Sequence, residues 1–248
     1  LPALFAFASD ETALGRGFLY AALMILIGTV MLGIATAAFR PRNPARSHLA
    51  ALVAAYALLP LVMALPLLET VPDTTLANAW FEMVSAFTTT GASVYAPDRL
   101  PDAVHLWRAL VGWSGGFVAL LAAYAILAPL NLGGAEVSSG RIPGRGVLGA
   151  AQITRTADPE ERLTRFALQL FPVYSALTLG LWLLLLMAGE SGVSALVLAM
   201  GTLSTSGIFG QVAAGQGGSG MLGEVLILAF LIFAITRRAL PGTGLAEN

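Results

Sequence analysis

Residues 79–93, AWFEMVSAFTTTGAS, lie between two long apolar runs and are themselves too short to cross a bilayer. A helix needs about 20 residues to span the hydrocarbon core, and only the 12 residues 79–90 precede the glycine of this stretch. Backbone that leaves the helix at membrane depth survives only where protein buries it or where it lines a wet cavity. The stretch reads as a short helix over 80–87 that ends in the small-residue tract Thr88, Thr89, Thr90, Gly91, Ala92. A helix that enters, stops and returns as extended backbone aims carbonyl oxygens at a dehydrated ion. The expectation is an ion-selectivity filter with residues 88–92 as one strand.

The surroundings agree with a membrane setting. Five apolar runs, 18–39, 48–68, 105–130, 164–188 and 221–236, are candidate spans. Only 11% of the 248 residues are charged, against about a quarter in soluble domains, so charge cannot cover a globular surface. Net charge of −1 gives no basic patch for nucleic acid, and the absence of cysteine excludes disulfides, thiol catalysis and zinc–thiolate sites. All 13 basic residues are arginine. Ten of them (40, 42, 46, 141, 145, 155, 162, 165, 237, 238) fall on one side of the five spans, and Arg16, Arg99 and Arg108 on the other. The ten-arginine side is therefore expected in the cytoplasm. The outer side holds nine acids, which would concentrate cations; outer loops that merely lack arginine explain it as simply. The first residues, LPALFAFAS, have no basic stretch and resemble the tail of a helix that begins upstream.

A shift of 116 residues lays FTTTGA (87–92) on LSTSGI (203–208), hydroxyl over hydroxyl at three positions. The second tract is Ser204, Thr205, Ser206, Gly207, Ile208, preceded by a second short helix over 191–200 that Gly192 weakens. Each unit reads span, re-entrant segment, span. The expected organisation is an N-terminal segment with one span (1–47), a first repeat (48–131), a cytoplasmic loop (132–163) and a second repeat (164–248). The fold class is an all-α polytopic membrane protein with five spans and two pore loops. A filter strand needs consecutive carbonyls on one side, which glycine permits by visiting φ > 0, so alanine should fail at Gly91 and Gly207. Each pore helix would point its negative C-terminal end at the tract, which favours a cation. An ordinary Ser/Thr/Gly loop explains one such tract, but explains two at matching distances less well.

Other residues admit plainer roles. Glu82 can attract a cation directly or hold the pore helix by accepting backbone hydrogen bonds, and Arg108 can snorkel or pair with an outer acid. Glu224 stands out only by its membrane depth. Trp80, Trp107 and Trp113 read as anchors and packing, and Pro60, Pro66 and Pro129 as helix kinks or ends. GWSG at 112–115 matches the serine motif of rhomboid-type intramembrane proteases. That chemistry needs a histidine base beside Ser114. His105 lies nine residues away on the same helix, about 13 Å along its axis, and His48 is on another span, so the alternative is disfavoured. GRGVLG at 144–149 spells a dinucleotide fingerprint but follows no strand.

The stretch WFEMVSAFTTTGAS, followed by LPDAVHLWRALVGWSGGFVALLAAYAILAPLNLGG (100–134), resembles the Trk/Ktr/HKT family of potassium-uptake proteins, and within it the TrkH type. The match rests on Trp80-Phe81-Glu82, FTTTGA, Trp107-Arg108, Trp113 with Gly115-Gly116, Leu65-Pro66, and Ile126-Leu127-Ala128-Pro129 with Gly133-Gly134; it is looser in the second repeat. The resemblance implies four span–filter–span units around one pore, K+ as the transported ion, no cofactor and no catalytic residue. Filter strands come from Thr88, Thr89, Thr90, Gly91 and Ala92 and from Ser204, Thr205, Ser206, Gly207 and Ile208. K+ is expected at Thr89, Thr90, Thr205 and Ser206, with Glu82 and Arg108 in support. It further implies a multi-pass protein of the bacterial cytoplasmic membrane, in contact with lipid. Its implied partners are a second full-length subunit and a cytoplasmic nucleotide-binding regulator of the TrkA kind. Only two units are present here. The expectation is the N-terminal half of a longer subunit, or a half-unit that completes a pore by self-association.

Overall fold

Four of the apolar runs form helices long and apolar enough to cross a membrane: Thr12–Thr36, Arg46–Thr70, Asp102–Ala122 and Leu163–Met187. The computed structural model describes residues 1–37, 44–123, 159–210 and 217–235. In chain order its α-helices are α1 (Pro2–Ala8), α2 (Thr12–Thr36), α3 (Pro44–Met63), α4 (Leu65–Thr70), α5 (Leu76–Phe87), α6 (Asp102–Ala122), α7 (Pro159–Met187), α8 (Gly192–Leu203) and α9 (Gly220–Ile235). The fifth apolar run is the 16-residue α9, and its expected end at 236 lies outside the described residues. So do Pro129, the GRGVLG loop and most of 132–163.

Local chemistry explains the boundaries. Pro66 has no N–H to reach the Val62 carbonyl, so the second span breaks between α3 and α4. Leu67 then bonds to the Ala64 carbonyl, and the Met63 carbonyl left over accepts the Trp107 indole N–H at 3.0 Å. The first short helix begins at Leu76, four residues before the expected start. Thr75 caps it, its hydroxyl accepting from the Asn78 N–H at 3.2 Å, as Thr commonly does at a helix start. The second short helix also exceeds expectation, running to Leu203. Gly192 at its opening turn costs no length, because its inner face is packed throughout, from Ala195 to Leu203.

Two cores meet at α6. On one side Leu67, Met83, Phe87, Val104 and Val111 bury against one another with Ala6 of α1 and Phe18 of α2. On the other, Tyr174, Leu181 and Leu185 of α7 pack on Ala195, Leu198 and Leu203 of α8. Trp113 joins the two: its ring stacks on Tyr174 at 4.9 Å, its indole donates to the Thr178 hydroxyl at 2.9 Å, and its carbonyl accepts from the Tyr174 hydroxyl at 3.1 Å. Leu23, Met24, Ile27, Met31 and Ile34 of α2 are exposed. A helix with that apolar surface is at home in lipid.

Candidate functional site

The helices α5 and α8 end in the same way. After α5, Thr88 N–H donates to Val84 O (2.9 Å), Thr89 to Ala86 O (3.0 Å), and Thr90 and Gly91 both to Ser85 O (2.9 and 3.3 Å). After α8, Ser204 donates to Met200 O (3.0 Å), Thr205 to Thr202 O (3.0 Å), and Ser206 and Gly207 both to Gly201 O (3.0 and 3.4 Å). Every donor and acceptor is displaced by 116 positions. The crossed pair of bonds is a Schellman C-cap, whose αL position is usually glycine. Here it is Thr89 (φ 57°) and Thr205 (φ 55°), followed two residues on by Gly91 (φ 75°) and Gly207 (φ 63°). Beside the positive φ expected at the two glycines, each tract therefore holds a second left-handed residue. Left-handed residues recur at every second position, and one of each two is β-branched, which is rare at positive φ.

This geometry sends the N–H groups back into the helix end. The carbonyls of 88–91 and 204–207 accept no hydrogen bond from any described residue. A backbone carbonyl left without a protein donor needs water or an ion. Ala92 differs, since its carbonyl accepts from the Ser85 hydroxyl at 2.7 Å, and Ile208 is buried. Among the described residues no group of three or more histidine or carboxylate side chains could hold a metal ion.

The two tracts touch. A Cβ added to Gly91 would run into the Ser206 carbonyl oxygen, whereas one on Gly207 would meet nothing within 4 Å. Glycines of α6 hold both tracts from behind. Gly115 leaves no room for a Cβ beside the Phe87 carbonyl; one on Gly116 would stand 2.9 Å from Ser204 Cβ, and one on Gly112 would stand 2.9 Å from Ile208 Cδ1. Thr88 and Thr90 are exposed, whereas Ser204 and Ser206 are buried against α6.

Each short helix is tied to the chain beyond its tract by a buried carboxylate. Glu82 is fully buried. Its Oε1 accepts from the Val94 N–H (2.6 Å) and the Ser93 hydroxyl (2.7 Å), and its Oε2 lies 2.9 Å from Arg108 Nε in an ion pair. Glu82 therefore holds the returning chain and Arg108 of α6 together. In the second unit Glu190, just before α8, accepts from the Ser194 hydroxyl (2.9 Å) and from the Ser219 hydroxyl and N–H (2.8 and 3.2 Å). Burial pushes the Glu190 carboxyl up, but the bonds from Ser219 and Ser194 outweigh it and hold its pKa below the ordinary carboxylate value.

The structure brings Thr88 to Gly91, Ser204 to Gly207, Glu82 and Arg108 into one assembly around α6. Glu224 stands apart, exposed on α9. Ser114 donates to Leu110 O at 2.7 Å, while the His105 ring bonds to Pro97 O, so no serine–histidine pair forms. Sequence reasoning missed Glu190 as a tie and Thr75 as a cap. The Ser/Thr cap pattern could have found Thr75; Glu190 gave no signal, because Ser219 lies 29 residues away.

The described residues form a mostly helical membrane protein with four spans, in which two short helices, each halted in a left-handed tract, are held side by side. The crystal structure of the potassium transporter TrkH from Vibrio parahaemolyticus has this fold, with a TM-score of 0.70 at 24% identity over 93% of this chain and 44% of that one. No protein-family model matches. Among curated proteins, the Trk system potassium uptake protein TrkH of Halomonas elongata is 30% identical over 197 residues, 76% of this chain and 39% of that protein. TrkI of the same organism is 42% identical over 71 residues, 28% of this chain and 14% of its own length. TrkH of Vibrio parahaemolyticus is 30% identical over 137 residues, 55% of this chain and 27% of its own. The chain belongs to the Trk family of potassium-uptake proteins, as a sequence of the TrkH type. It spans less than half the length of the relatives it matches.

Proposed function

We propose that this chain is pore-forming sequence of a Trk-type potassium-uptake subunit in the bacterial cytoplasmic membrane. It would hold five spans, α9 being the fifth, and two re-entrant pore loops arranged as two span–pore–span repeats (48–131 and 164–248). The observation that carries this reading is the pair of tracts with matching hydrogen bonds and φ angles, in contact at Gly91 and Ser206, whose carbonyls no described residue engages. A fixed row of carbonyl dipoles can replace part of an ion's hydration shell. The C-terminal ends of α5 and α8 add negative potential there. K+ would be held by backbone oxygens of Thr89, Thr90, Thr205 and Ser206, flanked by Thr88, Gly91, Ser204 and Gly207; Ala92 and Ile208 would close the tracts. Glu82 and Arg108 support the site without touching the ion. Translocation makes and breaks no covalent bond.

Two tracts line only part of an ion's surroundings, so a complete pore needs two further units, from more chain or from a second copy. The ten-arginine side faces the cytoplasm, where a nucleotide-binding regulator of the TrkA kind would dock, and complete subunits would pair as homodimers. The test is rubidium uptake in cells lacking their own potassium uptake, using the natural gene product that carries this chain. Gly91→Ala and Gly207→Ala should each abolish uptake at unchanged membrane abundance. Uptake that persists in either would refute the filter reading.

A further inference from the structure

The side chains of the tracts carry a second pattern, which rests on the filter reading above. The Thr88 hydroxyl lies 2.7 Å from Val84 O, which can only accept, so Thr88 donates there. A hydroxyl has one hydrogen, so in the 2.8 Å contact between Thr88 Oγ1 and Thr90 Oγ1 the donor is Thr90. In the second tract the Ser204 hydroxyl reaches Met200 O at 2.8 Å and the Ser206 hydroxyl at 2.9 Å. Each hydroxyl pair thus straddles the left-handed residue, Thr89 or Thr205, and anchors it to the helix end four residues back. The other non-glycine residues described at positive φ are Asp10 and Asp73, a type that tolerates this region, whereas threonine does not. A strained backbone persists where its surroundings over-determine it. The pairs keep the same geometry although one is exposed and the other buried, so their setting does not impose it.

We propose that the hydroxyl pairs Thr88–Thr90 and Ser204–Ser206 are locks that fix the peptide planes on either side of Thr89 and Thr205, and so aim the carbonyl row, rather than ion ligands in their own right. Thr90 and Ser206 are then positioning residues that set selectivity. The double hydroxyl replacement Thr88→Val/Thr90→Val removes the Thr88–Thr90 bond common to both single variants and the Thr88 bond to Val84 O that Thr88→Val already removes. It should lower the rubidium-to-sodium uptake ratio no further than the worse single variant does.

The experiment measures rubidium and sodium uptake by the natural gene product and by Thr90→Val, Thr88→Val, their double, Ser206→Ala, Thr90→Ser and Gly91→Ala, each normalised to membrane abundance. Thr90→Val and Ser206→Ala should lower the ratio by about fivefold, the scale of one lost hydrogen bond. Thr90→Ser should restore it. Losses in the double variant that multiply, as independent ligands would give, overturn the proposal; so does an unchanged ratio in Thr90→Val and Ser206→Ala while Gly91→Ala abolishes uptake. If Gly91→Ala also leaves uptake intact, the filter reading fails and the lock falls with it. Ser206→Ala removes a single oxygen and serves where the valine variants do not reach the membrane.

Discussion

The two short helices and the tracts that end them share a backbone and differ in almost everything that supports it. The helices occupy positions 116 apart, and their C-caps match bond for bond. Yet the first helix is held through Glu82 and Arg108, whereas the same offset from Glu82 gives the buried Leu198 and from Arg108 the exposed Glu224. The second helix is held instead from its N-terminal end, through Glu190 and Ser219. Gly112, Gly115 and Gly116 of α6 correspond to Leu228, Leu231 and Ile232 of α9, and Leu228 and Ile232 are exposed. The tract geometry is common to both units, and the scaffolding is specific to each.

The largest effect that would break this comparison is at the ion pair. Glu82→Leu gives the first repeat the residue of the second and leaves Arg108 buried without its partner. A stability loss of about 3–5 kcal/mol is expected, read as a lowered Tm in detergent. Glu82→Leu with Arg108→Leu should recover most of it, because an apolar pair of similar volume costs little. A double variant as unstable as the single would show that the carboxylate's bonds to Ser93 and Val94, not the pair, hold the helix.

The glycines come next. Gly91→Ala meets both a left-handed φ and the Ser206 carbonyl, whereas Gly207→Ala meets the φ alone. Stability should fall by about 1 kcal/mol at Gly207, the cost of a left-handed L-residue, and by clearly more at Gly91. Equal losses in thermal unfolding would mean that the two tracts are not in contact.

The smallest effect is the response to acid. Glu190 has a depressed pKa, so its contribution is complete above the unfolded carboxylate value and is lost as pH falls through the folded one. The Tm of the protein should therefore decline below about pH 4.3, and Glu190→Gln should flatten that part of the decline. A Glu190→Gln profile that parallels the unaltered protein through this range would remove Glu190 from the scaffold.

Much of this was legible in the sequence for physical reasons. Apolar runs of membrane length give spans, and a hydroxyl–glycine tract repeated at 116 residues gives two equivalent turns. The helix starts were less legible, since one cap such as Thr75 outweighs the weak propensity of the residues after it. The positive φ of Thr89 and Thr205 was hidden altogether, because threonine gives no hint of a left-handed conformation and the bonds around it close only once the helix end has formed. The ties through Glu190 and Trp113 depend on partners 29 and 65 residues away, beyond any local pattern.

The contact of α6 with both tracts has a consequence for how such a chain can change over generations. Gly115 serves the helix of its own unit, Gly116 serves the tract that follows, and Gly112 serves both, facing Ala86 O as well as Ile208 and Ser206. Support from α6 therefore reaches both its own short helix and the tract that follows. A duplicated unit is not free to drift alone: a bulkier residue on one inner helix must be answered by a smaller one in the next tract. Compensating substitutions should be sought between neighbouring units as well as within the first, the former 88 residues apart in sequence from Gly116 to Ser204.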